Sequence, residues 1–160
     1  MKSEMIRQHE HTWNVFTNLV SGFDPSAWLH TGRGAITPAR LSLHILQCAK
    51  FYMQDTVPMQ FASGKPFECE WSAVPEEDLP SQADVLGCIE DLQQRTRHWL
   101  SQTDFAGENQ AFPWAGETKL GAVIFALRHS LYHLGELSSL LNESRGGEVE
   151  DNYVAALKAA

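Results

Sequence analysis

Cysteine is scarce: Cys48, Cys69 and Cys88 are the only three in the 160-residue chain, and no two of them form a C-x-x-C pair. An odd number at such wide spacing argues against both a disulfide framework and a thiolate zinc knuckle. Cys48 and Cys88 each fall in a helical apolar pattern, where a free cysteine is usually a small core residue. No apolar run approaches the roughly 20 residues that cross a bilayer. The first ten residues lack the apolar stretch and small-residue cleavage site of a secretory signal. A cytoplasmic protein with no membrane partner is expected. Basic residues are also few, with 12 Lys and Arg against 20 Asp and Glu for a net charge of −8, and they do not cluster. Such a field repels phosphate backbones and argues against nucleic acid as a partner.

Strand signals are missing as well, since no run of alternating residues sits between turn signals. Hydrophobic residues make up 43% of the chain and charged residues 20%, which is globular composition. The length suits one domain over residues 1–160, large enough to bury a core without staples.

Helical periodicity is present in four long segments. The first runs from about Ser3 to Val20, with Met5, Ile6, His9, Trp13, Phe16 and Val20 on one stripe. His9 shares that stripe and is a weak site candidate, whereas His11 points to solvent. Gly22 and Asp24-Pro25 end the segment, and the connection that follows has room for a single helical turn around 25–29. Thr37-Pro38 starts the second helix, with Thr as N-cap and Pro at the first helical position, where its missing N–H is not needed. That helix reaches about Thr56 and buries Leu41, His44, Ile45, Cys48, Phe51 and Tyr52.

Val57 to Pro80 is a long, Pro-rich connection carrying Phe61, Phe67 and Trp71. A loop of this length in a compact domain is usually functional. Its acidic Glu76-Glu77-Asp78 reads as a solvated rim. Ser81 and Asp84 form an N-terminal capping signature for the third helix. This helix runs to about Ser101 and buries Val85, Cys88, Ile89, Leu92, Thr96 and Trp99, leaving His98 exposed. A second loop, 103–117, leads to the longest helix, Thr118 to about Ser144, closed by Gly146-Gly147. An acidic link then precedes a tail, Tyr153 to Ala160, expected to add a helical turn or to dock on a partner subunit. Four amphipathic helices with a long crossover between the second and third make an all-α four-helix bundle.

Within the last helix, His129 and His133 stand four residues apart and so share a face, and Glu136 falls on the same face. His44 intrudes on the apolar stripe of the second helix. Cofactor sites in bundles are built from inward side chains on facing helices. Three buried imidazoles converging without a shared partner would be expensive, and a metal ion is the simplest such partner. Three neutral imidazoles suit zinc, nickel, iron(II) or cobalt, with manganese also a candidate, and leave positions open for water or substrate. A metal lowers the pKa of bound water and polarises a carbonyl or binds a thiolate. Glu136 would orient that water as a catalytic group, hydrogen-bond a ligand histidine, or bind the metal itself.

His44, followed by His129-x-x-x-His133-x-Gly135-Glu136 on the last long helix, resembles the DinB-like superfamily of four-helix-bundle metalloenzymes, also called YfiT-like. The resemblance covers essentially the whole chain, though its specific part is these few positions. It implies up-down-down-up topology, a metal site at one end of the bundle with His44, His129 and His133 as ligands, and frequently a homodimer. Members commonly carry Gln where this chain has Glu136. The superfamily includes thiol-dependent S-transferases, isomerases and hydrolases. The leading reading is therefore a metal-dependent enzyme acting on a small molecule by thiol transfer or hydrolysis, with a low-molecular-weight thiol as a candidate cosubstrate. Trp71, Phe112 and Trp114 are candidate pocket walls. Two readings compete with it: a non-catalytic stress-response or binding module whose metal or dimer is structural, and an interaction protein with no metal.

Overall fold

The computed structural model describes residues 1–148 and 150–159. Val149, in the acidic link, and Ala160, at the end of the expected tail, lie outside the described residues. The elements are α1 (Lys2–Gly22), α2 (Pro38–Tyr52), α3 (Gln82–Gln102), α4 (Lys119–Ser144) and α5 (Asn152–Ala159). Among the described residues there is no strand, only the isolated bridges Arg33–Ile36 and Glu108–Thr118.

Side-chain contacts give each helix its direction. Lys2 reaches the Ser101 carbonyl at 2.9 Å while Gln82 reaches the Val20 carbonyl at 2.8 Å, so α1 and α3 are antiparallel. The Tyr52 ring meets Phe125 and His44 meets His133, so α2 and α4 are antiparallel too. Met5 and Ile6 pack beside Val123, and Gly22 lies against Leu141, which makes α1 and α4 parallel. The sequence of directions is up, down, down, up. Because α2 and α3 run the same way, the chain must return along the length of the bundle between them, and residues 53–81 make that return.

The apolar stripes are buried as their spacing predicts. Trp13, Phe16 and Val20 of α1 meet Val85, Ile89 and Leu92 of α3 and Leu134, Leu137 and Leu141 of α4 in one core. Burying each large side chain contributes about 1.5–3 kcal/mol. The crossover buries its own residues in the same core, namely Met59, Phe61, Phe67, Val74 and Leu79.

The capping box of α3 forms as expected: Asp84 N–H donates to Ser81 Oγ at 3.1 Å, and Ser81 N–H donates to Asp84 Oδ2 at 3.1 Å. The other oxygen of Asp84 accepts from Ser63 N–H at 3.0 Å, which ties the crossover to the helix start. Burial alone would raise the Asp84 carboxyl, but the hydrogen bonds from Ser63 and Ser81 outweigh it and hold it below the ordinary value. Gly146 closes α4 with φ 82°; its N–H bonds Glu143 O, and Gly147 N–H bonds Asn142 O.

Two expectations need correction. The second helix ends at Tyr52, not Thr56. Gln54 adopts φ 54°, and the bonds Gln54 N–H to Phe51 O and Asp55 N–H to Lys50 O form the same closing motif that glycine makes in α4. Phe51, expected in the core, is 60% exposed, its ring packing against Tyr52 and Phe112 at the surface. Around 25–29, where at most one helical turn was expected, the chain makes hydrogen-bonded turns, with the Trp28 indole donating to Pro80 O at 2.8 Å. The tail is helical and docks within its own chain. Ala156 is buried, and Asn152 donates to Ser138 Oγ at 2.8 Å and Asn142 Oδ1 at 3.1 Å.

Candidate metal centre

The spacing of four that puts His129 and His133 on one face of α4 also puts His44 and Cys48 on one face of α2. Antiparallel packing turns these faces toward each other. His133 Nε2 stands 3.2 Å from His44 Nε2 and 3.3 Å from His129 Nε2. On the opposite edge of the His133 ring, Nδ1 lies 2.7 Å from Glu136 Oε2. A carboxylate only accepts, so Nδ1 carries the proton and Nε2 presents a lone pair to the other two histidines. One lone pair satisfies at most one N–H donor, leaving the three converging nitrogens short of partners. Two nitrogens at about 2.05 Å from a shared tetrahedral ion are about 3.3 Å apart, the spacing these rings adopt. The arrangement fits a divalent metal, with Glu136 in the place of the carboxylate that commonly orients a ligand histidine.

Cys48 extends the group. Its Sγ is 3.6 Å from both Nδ1 and Nε2 of His44. His44, Cys48 and His129 each offer a ligand atom within 4.8 Å of one another, a cluster able to hold a metal ion. That grouping and the three-histidine contact share His44 and His129 and differ in the third member. The sequence reading placed Cys48 as an ordinary core residue. Its position one turn after His44 was the signal that it belongs here.

Electrostatics disfavour the charged forms of His44 and His129. Burial, reinforced by His133 and His129, lowers His44 to about 4, partly offset by Glu136 and Glu70. Burial and then His133 lower His129, with Glu136 opposing. Burial pushes the Cys48 thiol up to about 12. Neutral imidazole is the metal-binding form, whereas a thiol must shed its proton to ligate.

Aromatic rings enclose the cluster. Trp71, from the crossover, lies on His44 with ring centroids 4.4 Å apart. Phe125 stacks on His129 at 24° and 5.9 Å, and Tyr52 approaches its edge at 5.4 Å. Phe112 packs on Tyr52 at 5.4 Å, and Trp114, 61% exposed, packs on Phe125 at 4.8 Å. Trp71, Phe112 and Trp114 were expected as walls; of the rings actually against His129, Tyr52 read in the sequence only as core pattern and Phe125 was not singled out. A cleft of about 840 Å³ opens onto His44 and Cys48, walled by Phe51, Phe67, Trp71 and Phe112. At its rim Lys50 pairs with Glu68 at 2.9 Å.

The remaining histidines stand apart. His9 is buried in the bundle interior with Nδ1–H donating to Met5 O at 2.9 Å, and Nε2 has no protein partner. His98 is exposed as expected, while His11 is partly covered rather than fully solvated.

An up-down-down-up helical bundle with a histidine-rich cluster between α2 and α4 defines a class of bundle proteins with a candidate metal centre. The DinB superfamily model matches residues 8–137, and the chain belongs to that superfamily. No curated protein and no solved structure matches the chain significantly.

Proposed function

We propose that the protein is a metal-dependent enzyme in which His44, His129 and His133 hold a divalent ion and a small molecule enters through the cleft beside His44. The observation that carries this reading is the convergence of the two other ring nitrogens on His133 Nε2, at 3.2 and 3.3 Å, with Glu136 behind it. A divalent ion bound there supplies Lewis acidity and lowers the pKa of a thiol or water, so thiol transfer and hydrolysis are the two reaction classes that fit.

The protein's own groups have separate tasks in this reading. Glu136 holds His133 in one tautomer and one orientation. Trp71, Phe125 and Tyr52 fix the other two rings and keep bulk water from them. Phe51, Phe67 and Phe112 offer an apolar surface to the non-reacting part of a small molecule. A low-molecular-weight thiol as cosubstrate, a homodimer and a cytoplasmic location complete the proposal. The exposed aromatics Trp114 and Tyr132, 61% and 66% accessible, support a subunit contact near the site. Among the described residues no helix is long and apolar enough to cross a membrane.

Elemental analysis of untagged protein beside His44→Ala tests the reading. Near-stoichiometric metal in the wild type, lost in the variant, supports it. Metal-free protein that takes up no added zinc, nickel, iron(II), cobalt or manganese overturns it in favour of an interaction protein. Metal that is retained with no exchangeable coordination position overturns the catalytic part and leaves a structural-metal module.

A further inference from the structure

We propose that the bundle interior holds one structural water, hydrogen-bonded to His9 Nε2 in the cavity where the four long helices meet. The site lies outside the metal centre: none of His44, Cys48, His129, His133 and Glu136 lines the cavity, so it stands whether or not that centre binds an ion. An acceptor without a donor carries the proposal. His9 is 8% exposed, and its Nδ1 lies 2.9 Å from Met5 O. A carbonyl only accepts, so Nδ1 carries the proton of the neutral ring and Nε2 presents a lone pair. That nitrogen is buried, and no protein donor reaches it.

The polar groups around it are short of protons in the same way. Thr12, Thr96 and Ser130 line the cavity from α1, α3 and α4. Each hydroxyl gives its proton to the carbonyl four residues back: Gln8 O at 3.0 Å, Leu92 O at 2.7 Å and Ala126 O at 3.0 Å. Their oxygens keep lone pairs, and none is within hydrogen-bond reach of His9 Nε2. Turning a hydroxyl therefore does not close the gap, whereas a small neutral donor between the groups does.

Water is the donor that fits. The cavity has about 20 Å³ of room, and one water needs about 10–15 Å³, so the space takes one and not two. Buried waters sit where polar groups are left over, with about two to four partners each. One O–H of this water donates to His9 Nε2, and the other is directed to one of the hydroxyl oxygens. A cation is disfavoured because no charged side chain lines the cavity. An apolar guest would leave the buried lone pair unpaired.

Water oxygen-17 magnetic relaxation dispersion, which counts waters held for longer than the protein takes to tumble, tests the site on the full-length protein. The wild type should hold one more such water than His9→Phe, and an equal count would overturn the proposal. Should His9→Phe fail to fold, nitrogen-15 shifts of the His9 ring in the wild type decide without a variant. Nε2 should be unprotonated and shifted upfield by an accepted hydrogen bond; with no protein donor in reach, that bond comes from water. A protonated Nε2, or an unprotonated one at the shift of a nitrogen that accepts no hydrogen bond, would overturn the site.

Discussion

His133 and Glu136 lie one helical turn apart on α4, with Nδ1 of the imidazole 2.7 Å from Oε2 of the carboxylate. The contact directs the Nδ1 proton to the side away from His44 and His129. It makes Glu136 a positioning residue for the proposed ligand. Glu136→Ala is expected to weaken metal binding by about 10–100-fold, the usual cost of removing such a partner. Glu136→Gln keeps an acceptor oxygen for Nδ1–H and should lose less. Competition against a chromophoric chelator measures both; equal affinity in all three proteins would mean that the contact does not orient the ligand.

The buried His9 sets an acid limit to stability. Burial lowers its folded pKa from the ordinary 6.5, with the Met5 carbonyl partly opposing. Unfolded chains therefore take up a proton at His9 before folded ones do, and stability falls as pH drops below 6.5, at up to about 1.4 kcal/mol per pH unit. The surrounding cavity of about 20 Å³ is lined by Thr12, Trp13, Thr96, Trp99 and Ser130 among others and includes no charged side chain. His44 and His129 shift in the same direction, so the difference between wild type and His9→Phe isolates this residue. Urea unfolding from pH 7.5 to 5 should give a shallower pH slope for the variant, and parallel curves would remove His9 as the cause.

Asn109 staples the loop that carries Phe112 and Trp114. Its amide donates to Phe112 O at 2.6 Å and Gly116 O at 2.8 Å, and its oxygen accepts from Phe112 N–H at 3.1 Å. The residue is buried, so truncation strands backbone groups away from water. Asn109→Ala should cost at least about 2 kcal/mol in denaturant unfolding. A loss below about 0.5 kcal/mol, the range of neutral surface substitutions, would show that the loop is held by its rings instead.

Gln54 occupies a left-handed position, φ 54°, that glycine takes without strain. Gln54→Gly should stabilise the protein by about 0.5–1 kcal/mol, the relief at Cβ exceeding the added freedom of the unfolded chain. A lower melting temperature would show that the Gln54 side chain makes a contact worth more than the strain.

What the sequence made legible follows from which signals are local. Ser81 with Asp84 and the Gly146-Gly147 pair announce helix ends because their chemistry is spent within a few residues. The i, i+4 histidines announce a shared face for the same reason. The end of α2 was overrun because Gln54 performs a glycine's task, and no proline appears until Pro58. Phe51 was misplaced because an apolar ring continues the stripe whether or not a neighbour is there to cover it. Cys48 was passed over as a core thiol, although its membership depends on two helices meeting rather than on its own surroundings in the chain. Tyr52 is of the same kind, since the rings it meets, Phe112, Phe125 and His129, lie on other segments.

The return from α2 to α3 imposes a further condition on the protein. A chain that walks back along a bundle without forming a helix needs places to hide its apolar groups, and Phe61, Phe67, Val74 and Leu79 find them in the core. Its backbone needs donors too: Gln47, three residues after His44, supplies two hydrogen bonds, to Phe67 O at 2.7 Å and Cys69 O at 2.8 Å. The helix that presents His44 thus also anchors the segment whose Trp71 lies over it. Evolution of a different cleft in this architecture would have to proceed mainly by substitution at the ring positions of that segment, since moving the anchor moves the histidine.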